Sequence, residues 1–141
     1  MSRTKIAKNL FLDEYIPESL YKKFERKLHI LIGLIDVRLV KADQMLRDHF
    51  GPVSINTWWH GGERNWSGIR TKDCPVFSDT SQHPFGRASD KIFKDASADE
   101  VRNYIIINWI SLGISCIEAN VSWVHSDVRW WMSDNLLIVK P

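Results

Sequence analysis

The sequence predicts an α+β fold, with helices packed on one face of a small antiparallel sheet. Three observations carry this. Apolar residues recur at helical spacing before Pro52, short β-branched and aromatic runs follow Ile114, and the length allows one core. A chain of 141 residues that is 44% hydrophobic suits a single domain over 1–141 and is too short for two.

The elements follow in order. Pro17-Glu18-Ser19 marks a helix start, and Leu20, Phe24, Leu28, Leu31 and Ile35 continue it at helical spacing. A second helix is expected over 36–50, with Gly51-Pro52 ending it. Residues 53–58 read as a strand, and 60–80 as a loop punctuated by Gly61-Gly62, Gly68 and Pro75. Residues 88–93 read as a short strand entered from a turn at Gly86. Ser97-Ala98-Asp99-Glu100 is a capping box, opening a helix that carries Val101, Tyr104, Ile105 and Trp109 to the core and ends near Gly113. Strands are expected at 114–118, 121–129 and 136–139, with Asn120 as the turn residue between the first two.

Composition narrows the partners. The net charge of +2, from 19 basic and 17 acidic residues, demands neither nucleic acid nor an anionic membrane. Two cysteines, Cys74 and Cys116, make no disulfide scaffold and lack metal-site spacing, which fits synthesis in a reducing cytoplasm. Residues 1–8 are basic, but charge interrupts 9–14 before a signal-peptide apolar core forms. The apolar run 29–40 holds Gly33, Asp36 and Arg38 and is too short to span a bilayer. A soluble protein without a signal peptide is expected.

The chemistry concentrates in two segments, Ser81-Gln82-His83-Pro84-Phe85-Gly86-Arg87-Ala88-Ser89-Asp90 and Trp123-Val124-His125-Ser126-Asp127. His83, Asp90 and His125 are good metal ligands. Two imidazoles and one carboxylate leave a tetrahedral Zn²⁺ with an open position, a catalytic pattern rather than a closed structural one. A loop carrying His83 that doubles back into a strand carrying Asp90 brings both to one ion. Strand alternation puts Trp123, His125 and Asp127 on one face. In the preceding loop, Arg70 offers a planar fork suited to a substrate carboxylate. Most of Trp58, Trp59 and Trp66 are expected to pack the loop, and His60 to lie at the surface.

Ser81, His83, Gly86, Ala88 and Asp90 match the Ser-x-His-x-x-Gly-x-Ala-x-Asp signature of the D-Ala-D-Ala carboxypeptidase and hedgehog-type zinc peptidases, which this chain resembles. His125-Ser126-Asp127 looks like the later family segment that supplies the third ligand. Ser67-Gly68-Ile69-Arg70 is similar to the Ser-Gly-Tyr-Arg motif ahead of the first ligand, and a subgroup of phage and bacterial relatives shows His-x-Asp-x-Arg as at 125–129. The resemblance covers about residues 53–129. It implies a hedgehog/DD-peptidase-like fold, Zn²⁺ on His83, Asp90 and His125, and hydrolysis of peptidoglycan stem peptides, reached by lysis or on a phage particle.

One departure bears on turnover. Many active members carry an acid three positions before the last His, where this chain has Ser122, whose hydroxyl is not an effective base near neutral pH. Asp127, on the face of His125, is the first candidate for the base, with a ligand-orienting role as its competitor. Glu118 on the preceding strand is the alternative. Two classes stay open: a zinc peptidase or amidohydrolase, and a non-catalytic member of the fold serving a phage particle.

Overall fold

Asp36 accepts the Arg38 amide with its side chain, and this cap opens the long helix α3 (Val37–Phe50). The computed structural model describes residues 2–141. Ahead of α3 lie two short helices, α1 (Glu18–Lys23) and α2 (Leu28–Ile32). The continuous helix expected from the spacing of Leu20 to Ile35 is thus interrupted at 24–27. Leu20, Tyr21, Phe24, Leu28 and Ile35 still pack on Leu12, Ile16, Leu31 and Ile69. Tertiary packing, which supplies most of a short helix's stability, keeps the apolar face and sets the break.

After α3 come β1 (Val53–Ser54), β2 (Ala88–Phe93), α4 (Ala98–Leu112), β3 (Cys116–Glu118), β4 (Val124–Asp127) and β5 (Leu137–Val139). The Ser97 hydroxyl accepts the Glu100 amide, starting α4 where the capping box placed it. Asn120 takes a positive φ of 62° between β3 and β4. β1 is shorter than expected because Asn56 turns inward: its side chain accepts the Ser67 amide and donates to the Ile16 carbonyl.

The five strands run in the order β1-β2-β4-β3-β5. Neighbours are antiparallel except β3 and β5, which are parallel, so the sheet is mixed rather than wholly antiparallel. The reason is topological. Both edges of β4 are taken by β2 and β3, so the chain reverses once beyond β4 and reaches the free edge of β3. A single reversal leaves β5 running with β3.

α3 and α4 cover one face of this sheet, where Ala42, Leu46, Val101, Ile105 and Leu112 meet Phe93, Ile117 and Val124. A buried polar joint lies in the same layer. Lys91 Nζ donates to Ser89 Oγ at 2.8 Å and Ser126 Oγ at 2.6 Å, and sits 3.1 Å from Asp43 Oδ1. Asp43 Oδ2 accepts from Tyr15 and Ser89 hydroxyls, both at 2.7 Å. Alternation therefore turns Ser89, Lys91 and Ser126 toward the helices, and Asp90, His125 and Asp127 toward the other face. Among the described residues no helix is long and apolar enough to cross a membrane.

Candidate metal centre

Strand register assembles the centre from residues far apart in sequence. Asp90 on β2 lies opposite His125 on β4. On the other side Cys116 opposes Asp127 and Ile117 opposes Ser126, a register that carries on to Glu118 beside His125. Three strands thus present Asp90, His125 and Glu118 in one row, close enough for their side chains to meet. His83 joins from a single 3-10 turn, His83–Phe85, ahead of β2. That turn ends at Gly86, with φ at 68°, where any Cβ would overlap the Leu34 carbonyl. The same close approach lets the Asp36 amide donate to the Gly86 carbonyl at 3.0 Å, tying the loop to the start of α3.

Each candidate ligand has one atom aimed at a common point and its other polar atom tied to protein. His83 Nδ1 lies 2.8 Å from the Gly68 carbonyl, which can only accept, so Nδ1 carries the proton and Nε2 is the free donor atom. His125 Nε2 bonds Asp127 Oδ2 at 2.9 Å, leaving Nδ1 toward the centre. Asp90 Oδ2 accepts from Arg70 Nη2 at 2.9 Å, leaving Oδ1. The chosen ligand atoms lie within 4.8 Å of one another, and all three residues are buried.

The spacing fits an ion. Donors on tetrahedral bonds of about 2.0–2.1 Å stand about 3.3 Å apart. His83 Nε2 to Asp90 Oδ1 is 3.4 Å, and His125 Nδ1 to Asp90 Oδ1 is 2.9 Å, the shorter distance being a direct hydrogen bond that an ion would replace. His83, Asp90 and His125 can therefore hold a metal ion.

The charges within the cluster compensate one another. Burial alone would raise the Asp90 pKa, but the hydrogen bond from His125 and the nearby His83 imidazole outweigh it and hold the carboxyl well below the usual range. Burial would lower the pKa of His125, but Asp127 and Asp90 push it up to about 9. Metal binding at such a site displaces a proton, here the one that His125 Nδ1 shares with Asp90.

Asp127 is fully buried and fully engaged. Its Oδ1 accepts from the Arg129 amide and Nε, and its Oδ2 accepts from Arg129 Nη2 as well as His125. Burial opposes ionisation, yet Arg129 and then His125 bring its pKa down to about 2. Glu118 differs: its Oε1 stands 3.6 Å from His125 Nδ1, and its side chain keeps 23% of its surface exposed. Burial pushes the Cys116 thiol up to about 12, which keeps it protonated and outside the donor set.

Arg70 is also drawn in, with Nε on the Trp66 carbonyl and Nη2 on Asp90. Arg64 reaches the Asp90 and Ile55 carbonyls and braces β2 from the backbone side. Ser122 lies elsewhere, lining a depression between β2 and α4. His60 is exposed, while the Trp58 and Trp59 indoles donate to the Ile16 and Asn56 carbonyls and pack the loop. Arg129 and the Gly68 carbonyl join the site only in the folded chain. The 125-127-129 spacing signals the first, whereas a backbone carbonyl leaves no trace in residue identity.

Fold and centre together define a small α+β protein with a buried two-histidine, one-carboxylate cluster. No family model, characterised protein or solved structure matches the chain.

Proposed function

We propose that this protein is a zinc-dependent peptidase or amidohydrolase acting on peptidoglycan stem peptides, of the D-Ala-D-Ala carboxypeptidase and hedgehog-type kind. The observation that carries this reading is the orientation of the three ligands, each with its outer polar atom tied back by Gly68, Asp127 or Arg70. Such outer partners fix tautomer and direction at metal sites. Zn²⁺ is the ion that two imidazoles and one carboxylate favour, and when bound it supplies a Lewis acid that polarises a carbonyl and acidifies water.

The chain's own groups divide the remaining work. Glu118 is the base in this reading, because it is a part-exposed carboxylate beside the ligand row and its oxygens are not consumed by an arginine. Asp127, held by Arg129, orients His125 instead. Arg70 sets the direction of Asp90, and its remaining guanidinium N–H groups can meet a substrate carboxylate. Peptidoglycan stem peptides offer such a carboxylate at their ends and side groups. The non-catalytic reading, a phage-particle component of the same fold, rests on Ser122 standing where an acid is usual.

Digestion of purified peptidoglycan with mass readout decides between them. The zinc-loaded wild type should release stem-peptide fragments, and Glu118→Gln should cut the rate roughly 10²–10⁴-fold with zinc retained. Zinc-loaded protein that leaves peptidoglycan intact would establish the non-catalytic reading.

A further inference from the structure

The outer face of α4 is apolar where solvent should favour charge. Ile107 and Ile110 are 80% and 76% exposed, Ile106 is partly so, and their i, i+3, i+4 spacing makes them one ridge. Beyond β4 the chain adds Trp130 and Met132, 79% and 82% exposed, with Trp131 beside them. Ridge and loop are contiguous, since Trp109, Ile110, Trp130 and Trp131 line one open groove of about 390 Å³. At these exposures the side chains present several hundred Å² of largely apolar surface, comparable with one partner's share of a stable interface, roughly 800 Å².

We propose that this face binds a second copy of the same chain, in a two-fold contact that seats each isoleucine ridge in the other copy's tryptophan groove. Two observations select that occupant. A ridge beside a groove of the same chemistry is self-complementary, as a two-fold contact requires. The arginines at its borders are also engaged: Arg38, Arg102 and Arg129 are paired with Asp36, Asp99 and Asp127 of their own chain. An anionic membrane or nucleic acid would need those cations unpaired.

The same groove is walled by Val128 and Arg129, so the contact closes over the arginine that holds Asp127.

Sedimentation equilibrium of the full chain from low- to high-micromolar concentration tests the proposal. The wild type should show a reversible monomer–dimer equilibrium. Ile107→Glu and, separately, Trp130→Ser should each raise the dissociation constant at least about 30-fold with unchanged circular dichroism. Trp130 lies outside the helix, so its variant keeps the test decisive should a charge in α4 unfold it. A wild type that stays monomeric throughout, or a dimer that both variants leave intact, overturns the proposal. A monomer that co-sediments with phosphatidylcholine vesicles would assign the patch to a membrane surface and overturn it equally.

Discussion

Replacing Asp127 by Asn removes one charge from the centre while keeping side-chain size, and the structure fixes what is lost. Asp127 Oδ2 accepts from both His125 Nε2 and Arg129 Nη2, and Oδ1 from Arg129 Nε. An amide has one oxygen and one NH2, so Asn breaks the arginine fork in either orientation and, with its oxygen in the Oδ1 position, loses His125 as well. A lost hydrogen bond to a charged group is worth about 1.5–3 kcal/mol. Loss of a residue that orients a metal-bound histidine weakens metal binding by roughly 10–100-fold, about 1.4–2.7 kcal/mol. Both routes give the same size. Competition with a chromogenic zinc chelator should therefore place Asp127→Asn about one to two orders of magnitude below wild type in affinity. Glu118→Gln should bind zinc as wild type does. The opposite outcome is Asp127→Asn holding zinc at full affinity yet losing hydrolysis, while Glu118→Gln keeps it. Asp127 would then be the proton acceptor, and its tie to Arg129 incidental.

Three further outcomes follow from the geometry. His83→Ala and His125→Ala should each lower zinc content sharply in elemental analysis, and full retention in both would remove the ligand assignment. Asp43→Leu should destabilise the fold by about 3–5 kcal/mol in denaturant unfolding by leaving Lys91 charged and unpaired in the core, and the Asp43→Leu/Lys91→Met double variant should cost much less than Asp43→Leu and Lys91→Met added together; additive costs would show that the pair is not coupled. Glu14 tests pH: burial raises its pKa to about 7, opposed by the Phe11 amide and Arg3. The folded state then binds the extra proton, so the stability tied to Glu14 is complete below about pH 4.5 and lost as pH rises through about 7. Glu14→Gln should be more stable than wild type at pH 8 by roughly 3 kcal/mol in thermal or denaturant unfolding, with the gap closing toward pH 4. A constant gap across that range would discard the assignment.

What the sequence determined by itself was local. The cap at Ser97, the turn at Asn120, the strand 88–93 and the shared face of His125 and Asp127 depend on residues within a few positions of each other, and all stand in the structure. Ligand types were legible for the same reason, since their chemistry is written in residue identity. Tertiary structure decided the rest. The break at 24–27 follows the cluster around Leu12 and Ile69, which no helical periodicity encodes. β5 runs parallel to β3 because β2 and β3 already occupy both edges of β4, a fact of the whole sheet. Asp90 meets His125 across 35 positions, and register alone brings Glu118 to the same imidazole. Two carboxylates flank that histidine in sequence reasoning, and either can be its base. Only the fold shows Arg129 and His125 consuming the lone pairs of Asp127, because hydrogen-bond competition is settled by distances that exist once the chain has closed on itself.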